Sequence, residues 1–478
     1  MLSVKSQAGL HRQVLERVLI AGGVAVPQGR IEWPLTGAHP NSRLVISTPE
    51  GAPFAIDPDA LLPIMEGRLR LTDQIVESAG GARLLLRLQT GWLTSVSLSG
   101  EVRRQAVEEL LLRMLSGDPR FLFDWAQALA ERVAVRLVAH GPEWRALHEA
   151  GARQGTPPRR EDAVTPVQIG HGGQIPGQGA PLTVPLKTPM KALAAVPHLA
   201  LHAQAAWAGV LEAAFEFQTG KGKGSGEDEA LHQARVLLRR LALLAGWLGR
   251  ARRDPACVEL ARAVRGCYQR LGGARDWSVF GARLAALESG DAKPRAAALW
   301  VAAATRRRAA ETDAARAALA GPAFQALMLH VALRAAQGLG EPVSPESGRS
   351  LGWLVTRLNR RIARGEVRLQ HALPGLASHS GKSRHRARQV ARQLQDEARL
   401  LLEVANARRV RARAAALARL QEALGRQNDW TCARRLARTL ECPDLGALED
   451  WLRARQRHAL ATACRAANRY RRLPRYSS

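Results

Sequence analysis

The spacing of hydrophobic residues divides the chain into regions of different predicted structure. Within residues 1–150, hydrophobic and polar residues alternate over 43–48, 82–88 and 93–98, a spacing that predicts short strands separated by turns. Residues 121–137 instead have helical spacing, and the Asp-Pro pair before them is typical of a helix start. The N-terminal region is therefore predicted to be a mixed α/β domain.

In the C-terminal part of the chain the hydrophobic period is helical throughout. Ala, Leu and Arg, which are strong helix formers, dominate there, and strand-like alternation is absent. Residues 151–189 are rich in Gly, Pro and Gln, a composition typical of a linker. We therefore predict an α+β multidomain protein with an N-terminal domain at 1–150, this linker, and an all-α domain at 190–478 whose halves lie at about 190–340 and 341–478.

An internal repeat relates the two halves of the helical region. Residues 231–241 resemble residues 384–394, and residues 271–277 resemble residues 424–430, both at an offset of 153 residues. One offset kept over more than forty residues indicates a tandem duplication, with each half predicted to form a small helical bundle.

The formal net charge of +28 is concentrated in the helical region. Residues 1–190 contain 20 Lys and Arg against 18 Asp and Glu, whereas residues 191–478 contain 50 against 24, a net charge of +26. Because a domain this basic repels itself, an anionic partner is expected, and nucleic acid, polyphosphate and an acidic membrane surface all meet that requirement.

Each copy of the repeat contains a stripe of basic residues. His, Arg and Arg at positions i, i+3 and i+7 lie on one helix face, and the two stripes are predicted to face each other across a groove. Guanidinium groups fork onto phosphate oxygens, so a row of them suits a chain of phosphates. A single stripe of this kind is equally well explained as a solvent-exposed helix face. The repetition of the stripe in both copies is what favours anion binding. The stripe residues are His232, Arg235, Arg239 and Arg240 in the first copy and His385, Arg388 and Arg392 in the second.

Other repeated residues are interpreted as structural. Asp276 and Asp429 follow glycine-containing segments that look like helix starts, so each is predicted to cap a helix or pair with an arginine. Trp277 and Trp430 hold equivalent positions and are predicted to lie in the core, although base stacking is an alternative. No His, Cys and carboxylate spacing predicts a metal site, and no catalytic site or cofactor is predicted.

The cysteines and the hydropathy pattern predict a cytoplasmic protein. The five cysteines include no Cys-x-x-Cys pair, which is typical of a reduced protein without a zinc module or disulfide framework. No uncharged apolar segment is long enough for a transmembrane helix, and the first residues lack the pattern of a signal peptide. We expect no membrane partner.

The repeated motifs resemble those of the CHAD family, the conserved-histidine α-helical domains. The family signature is a helix reading His-x-x-Arg-x-x-x-Arg-Arg-Leu-Arg, then Leu-Gly-x-x-Arg-Asp, with a second copy that ends in Leu-Gly-x-x-Asn-Asp. The resemblance covers about residues 191–478, with Ala242, Gln393 and Gln395 at positions where basic residues are usual. The matching residues are His232, Arg235, Arg239, Arg240, Leu271, Gly272, Arg275 and Asp276, then His385, Arg388, Arg392, Leu424, Gly425, Asn428 and Asp429.

This resemblance implies two pseudo-symmetric four-helix bundles around a basic groove that binds inorganic polyphosphate without catalysis. It also implies a place at polyphosphate granules in the cytoplasm. Non-specific nucleic-acid binding is the alternative, which the aromatic content of 4% disfavours. The predicted polyphosphate-binding residues are His232, Arg235, Arg239, Arg240, Arg275, His385, Arg388, Arg392, Arg357 and Arg361.

The N-terminal region resembles a degenerate CYTH domain, a triphosphate-tunnel fold built as an antiparallel β-barrel. Residues 109–124 are similar to the late strand of that family and the helix after it. The family holds a divalent metal with alternating carboxylates, but here Met1, Ser3, Leu111 and Arg113 stand at the corresponding positions. We therefore expect a catalytically inactive domain, with a metal-dependent triphosphatase as the alternative.

Overall fold

The computed structural model of the protein divides into two compact units, one N-terminal and one C-terminal. The linker predicted at 151–189 lies outside the residues that the structure describes. The described residues are 2–7, 10–21, 24–35, 65–96, 100–139, 141–142, 195–220, 226–289, 295–339, 349–405, 408–442 and 444–473.

The described part of the N-terminal unit contains two antiparallel sheets of three strands, each with its strands in chain order. One helix follows the second sheet. The elements are β1 (Leu2–Gln7), β2 (Leu10–Ala21) and β3 (Val24–Leu35) in the first sheet, β4 (Met65–Glu77), β5 (Arg83–Val96) and β6 (Val102–Ser116) in the second, and α1 (Arg120–Arg132).

The local predictions for this unit are met in part. The strands predicted at 82–88 and 93–98 are one continuous strand, β5, because Gly91 continues the pairing with β4 where a turn was expected. Its φ is 151°, and a Cβ there would clash with the Arg68 carbonyl, so the close approach of β4 requires glycine.

The helix predicted at 121–137 is α1, which ends at Arg132 because the next residue is extended. The strand predicted at 43–48 lies outside the described residues, and the closed barrel stays a prediction.

The C-terminal unit is helical, as predicted. The structure describes ten helices in it: α2 (Ala195–Thr219), α3 (Glu227–Arg252), α4 (Pro255–Arg270), α5 (Gly272–Glu288), α6 (Ala297–Ala320), α7 (Pro322–Leu339), α8 (Leu351–Ala372), α9 (Gly381–Val404), α10 (Arg408–Ala437) and α11 (Leu445–Arg471).

These helices repeat with the offset found in the sequence. Helices α2, α3 and α6 correspond to α8, α9 and α11, and the pair α4–α5 corresponds to the single helix α10. Helix α7 is an addition that packs against α2, α4 and α6. Each half is therefore a set of four helical segments, which confirms the all-α fold and the duplication.

The two copies differ at Leu271, where the first copy breaks its helix. Gly272 and Gly273 follow the break, and glycine pairs disfavour a continuous helix. A Cβ at Gly273 would overlap the end of the Glu311 side chain of α6, which would have to shift to make room. The second copy has one glycine at this point, Gly425, and its helix continues.

The predicted helix caps at Asp276 and Asp429 are wrong. Asp276 is the fifth residue of α5, and Asp429 lies well inside α10, so neither residue stands at a helix start. The glycines that suggested a start lie within or just before continuous helical backbone. Both carboxylates instead face arginines, which was the other structural interpretation.

A hydrophobic cluster joins the two halves through α5, α6, α10 and α11. Trp277 is 5% exposed and lies in this cluster, and Trp430 packs against its edge, so the sequence placed both in the core correctly. The largest buried members are Trp277, Phe280, Trp300, Leu448 and Leu452. Because burying each such side chain contributes about 1.5–3 kcal/mol, this cluster holds the halves in a fixed relation.

None of the described helices is by itself both long and apolar enough to cross a bilayer. The pair Ala297–Ala320 with Pro322–Gly338, bent by 49°, meets that requirement of length and composition only when the two helices are taken together.

Candidate functional site

The two repeated stripes lie on α3 and α9, and their long side chains meet between the halves. On α3, Arg239 lies with its Nε 3.0 Å from the Asp396 Oδ2 of α9. Arg240, also on α3, donates from both Nη atoms to the Glu403 carboxylate of α9 at 2.8 and 2.7 Å. The duplication therefore brings the predicted binding helices face to face through their side chains.

One tyrosine contacts an arginine from each half. This tyrosine is not part of the repeated sequence motifs. Tyr268 lies near the end of α4. The Arg235 guanidinium stacks on the Tyr268 ring, 4.5 Å from its centroid, and donates to the Tyr268 carbonyl at 3.3 Å. Arg392 of α9 donates from Nη1 to the Tyr268 hydroxyl at 3.0 Å. Tyr268 thus joins the first and second stripes.

Four guanidinium charges surround this tyrosine. Burial acts to raise the pKa of Tyr268, but Arg392, Arg235, Arg239 and Arg388 together outweigh burial and lower the pKa. We name Tyr268 and these four arginines the Tyr268 cluster. It contains two arginines from each copy of the repeat, at equivalent positions.

Two arginines of the Tyr268 cluster, Arg235 and Arg388, are held in an environment that disfavours their charge. Burial, and then the neighbouring Arg392, lower the pKa of Arg388, and burial is also the main cause that lowers the pKa of Arg235. The Nε atoms of Arg388 and Arg392 are buried without a hydrogen-bond partner among the described residues. Since arginine stays charged in proteins, an anion bound here would relieve both the repulsion and the unmet hydrogen bonds.

The two aspartates of the repeat form reciprocal ion pairs across the halves. Asp276 of α5 faces Arg435 of α10 at 3.4 Å, and Asp429 of α10 faces Arg283 of α5 at 3.5 Å. Burial raises the pKa of Asp429, although Arg283, Arg388 and Arg275 act in the opposite direction. These pairs fix α5 against α10 beside the Tyr268 cluster, and Arg275 adds its charge to the same region.

The two motif histidines lie in the second turns of their helices. His385 is exposed on α9, with Nδ1 3.3 Å from the Asn428 Oδ1 and Nε2 2.9 Å from the Gln389 amide nitrogen. His232 occupies the equivalent place on α3 and is half-buried. The structure therefore places both predicted histidines on the stripe faces.

Three of the predicted phosphate-binding arginines are instead paired with carboxylates. Arg239 and Arg240 face Asp396 and Glu403, and Arg361 of α8 donates to Glu397 from Nε at 2.8 Å and from Nη2 at 2.6 Å. All three carboxylates are on α9. The remaining predicted residue, Arg357, is exposed on α8, and no contact among the described residues joins it to the Tyr268 cluster.

Sequence reasoning missed Tyr268 and the α9 carboxylates for different reasons. Asp396 lies four residues after Arg392, and Glu403 lies seven residues after Asp396, so both continue the face of the second stripe. The helical spacing of the second stripe, extended beyond Arg392, therefore predicts both carboxylates on the same face. Tyr268 follows no such spacing from the stripe, and only the packing of α4 against α3 brings it there.

Among the described residues, no group of three or more His, Cys, Asp or Glu side chains is arranged to hold a metal ion. The Tyr268 cluster consists of four guanidinium groups and one phenol, groups that suit anion binding.

Comparisons with known proteins agree with the motif resemblance. Residues 205–438 match the CHAD domain family. A solved structure described as the CHAD domain from the plant Ricinus communis matches with 21% sequence identity, covering 63% of this chain and 99% of that chain at a TM-score of 0.48. No curated protein matches the chain.

Proposed function

Because residues 205–438 of this chain are a CHAD domain, we propose that the protein binds inorganic polyphosphate at the Tyr268 cluster without hydrolysing it. The observation that carries this proposal is the convergence of Arg235 and Arg239 from one half with Arg388 and Arg392 from the other. Both halves contribute equally, so a linear ligand would cross the pseudo-symmetry axis there.

The chemistry of the cluster suits a chain of phosphates. Guanidinium forks bind phosphate oxygens through charge-assisted hydrogen bonds, and successive arginines can bind successive phosphates. Among the described residues, no carboxylate accepts a hydrogen bond from Arg235, Arg388 or Arg392, so these donors are available to a ligand. This availability distinguishes them from Arg240 and Arg361.

Neutralising one arginine of each half tests the proposal. In the full-length protein, Arg235→Gln with Arg388→Gln should weaken binding of fluorescently labelled long-chain polyphosphate by about 100-fold, since each change removes a charge-assisted contact of about 1.5–3 kcal/mol. The matched control is Arg262→Gln with Arg465→Gln, two exposed arginines with the same change in net charge. Equal losses in both variants would reduce the effect to net charge and defeat the proposed site.

We also propose a cytoplasmic location at polyphosphate granules. A fluorescent fusion should colocalise with a polyphosphate dye, and the Arg235→Gln/Arg388→Gln variant should become diffuse. A fusion that is diffuse in cells with stained granules would refute this location.

Non-specific nucleic-acid binding is a second candidate function, favoured by a separate surface on α8. Arg357, Arg360, Arg364 and Arg368 are exposed, and their spacing aligns them on one helix face. None of the four has an ion pair with another described residue. Arg360→Gln/Arg364→Gln/Arg368→Gln should weaken duplex DNA binding by about ten-fold, because phosphate contacts dominate non-specific affinity. Polyphosphate binding that falls in parallel would assign both ligands to one surface.

A further inference from the structure

Three carboxylates on α9 break the symmetry of the arginine stripes. Asp396, Glu397 and Glu403 each face an arginine from another helix. In the first copy of the repeat, the equivalent positions, 153 residues earlier, hold Leu243, Leu244 and Arg250. Of the two copies, only the second therefore has carboxylates at these positions. They lie on α9, C-terminal to Arg392, which belongs to the Tyr268 cluster.

The pair of Arg239 and Asp396 links the carboxylates to the Tyr268 cluster. Arg239 contributes its charge to Tyr268 and also lies 3.0 Å from Asp396. The Arg239 Nε is nevertheless buried without a properly oriented hydrogen-bond partner among the described residues, so the contact is close but poorly aligned. Burial raises the pKa of Asp396 against the opposing charges of Arg239, Arg392 and Arg399. Asp396 is therefore a desolvated counter-ion whose contact with Arg239 is close but imperfectly aligned.

The other two pairs differ in accessibility. Arg240 and Glu403 keep 34% and 28% of their side chains exposed, so a ligand can reach them. Glu397 is only 2% exposed, and it accepts hydrogen bonds from both Arg361 and Gln393. Because Glu397 is buried and accepts two hydrogen bonds, its pair with Arg361 is structural. Asp396 and Glu403, with 17% and 28% of their side chains exposed, are more accessible.

We propose that Asp396 and Glu403 are internal competitors for the ligand, which occupy Arg239 and Arg240 in the free protein. This inference rests on the proposed function. A short phosphate chain would fill Arg235, Arg388 and Arg392 of the Tyr268 cluster, whereas a longer chain would extend along α9, displace both carboxylates and recruit Arg239 and Arg240. The two carboxylates would therefore set how strongly the protein distinguishes long polyphosphate from short.

The first experiment neutralises both competitors in the full-length protein. Asp396→Asn with Glu403→Gln should raise the affinity for long-chain polyphosphate by about ten-fold, because displacing a charge-assisted pair is no longer required. Tripolyphosphate, which would occupy Arg235, Arg388 and Arg392 without displacing either carboxylate, should gain less than about two-fold. The control is Glu259→Gln with Asp450→Asn, two carboxylates in exposed pairs on α4 and α11, which removes the same charge.

The second experiment tests competition for one arginine. Arg239→Gln should cost little affinity in the wild-type background and about ten-fold in the Asp396→Asn/Glu403→Gln background, where Arg239 is free to bind phosphate. Equal costs in the two backgrounds would show that Asp396 does not compete for Arg239. Thermal melting of every variant by circular dichroism would show that folding is retained.

The outcomes separate this inference from the proposed function. Wild-type protein that fails to bind polyphosphate would refute the proposed function itself. Wild-type protein that binds, combined with an Asp396→Asn/Glu403→Gln variant of unchanged or lower affinity, would refute only the competitor role. An equal gain in the Glu259→Gln/Asp450→Asn control would likewise refute it, since net charge would then account for the effect.

Discussion

Among single residues, Tyr268 contacts one arginine from each half of the candidate site. A phenol offers a ring face for one guanidinium and an oxygen for another without adding a full negative charge. Arg235 uses the face and Arg392 uses the oxygen, so both are positioned while their charges remain uncompensated by a carboxylate. At Arg240 the same positioning comes from Glu403, which neutralises the arginine that it holds.

Substitutions at Tyr268 should separate these two contacts. Tyr268→Phe keeps the ring under Arg235 and removes the acceptor for Arg392, so polyphosphate affinity should fall by roughly three- to ten-fold. Tyr268→Leu removes both contacts and should cost more. Titration of the two variants with labelled polyphosphate measures the difference, and equal affinities in wild type and both variants would show that Tyr268 does not position these arginines.

His198 should make the helical unit less stable in mild acid. Burial, and then the neighbouring His202, lower the pKa of His198 to about 4, and its Nε2 lies 3.2 Å from the His202 Nε2. The unfolded chain binds a proton at His198 near pH 6.5 and the folded protein only near pH 4, so stability is lost as the pH falls between these values.

The expected loss between pH 7.5 and pH 4.5 from this residue is about 2–3 kcal/mol of unfolding free energy. Urea denaturation at the two pH values measures it. His198→Gln should show a loss smaller by that amount, whatever its stability at neutral pH. The same pH dependence in wild type and variant would mean that His198 does not resist protonation.

At the scale of helices, a buried ion pair ties α8, α10 and α11 together. Glu366 of α8 is 6% exposed and accepts hydrogen bonds from Arg413 of α10, at 3.2 and 2.7 Å, and from the Tyr470 hydroxyl of α11. The second half therefore has a buried polar network that joins three helices, with Glu366 accepting hydrogen bonds from both of its partners.

Removing the charge of Glu366 should destabilise the helical unit. Glu366→Gln leaves the Arg413 guanidinium buried and unpaired, a change that costs roughly 3–5 kcal/mol of unfolding free energy. Glu259→Gln, which breaks an exposed pair with Arg262 one turn away, should cost at most about 0.5 kcal/mol. Chemical denaturation compares the two, and similar small losses would contradict the structural role of the pair.

The sequence predicted the helices better than the contacts between them. The constant offset and the helical spacing predicted the duplication and both basic faces, because these depend on neighbours along one helix. The cap assignments at Asp276 and Asp429 failed for different reasons. Helix α5 does begin at Gly272, but four residues before Asp276, whereas Gly425 lies inside the continuous helix α10. The strand break near Gly91 failed because glycine there accommodates a neighbouring strand.

The candidate site was predicted only in outline. The stripes on α3 and α9 lie on facing helices, but which arginines meet carboxylates depends on how the two halves pack. Arg239 and Arg392 hold equivalent positions in the repeat, yet among the described residues only Arg239 of the two forms an ion pair with an acidic residue of the other half. Pairing between distant helices has no signature in the spacing of one chain.

Across the whole molecule, positive charge is segregated into the helical unit. The net charge of +26 in residues 191–478 persists although many arginines there form ion pairs, so a polyanion is attracted over a long range. The Tyr268 cluster then adds a local site to this general attraction. Polyphosphate binding at the Tyr268 cluster therefore requires that the protein prefer polyphosphate to other polyanions, as well as bind polyanions in general.

A competition titration tests that requirement most directly. Full-length protein bound to labelled long-chain polyphosphate, near physiological salt, would be challenged with unlabelled polyphosphate, duplex DNA, RNA and tripolyphosphate at equal phosphate concentration. We predict that long-chain polyphosphate competes at least about ten-fold better than either nucleic acid. Equal or better competition by DNA or RNA would contradict the account, because the Tyr268 cluster would then be part of a general polyanion surface.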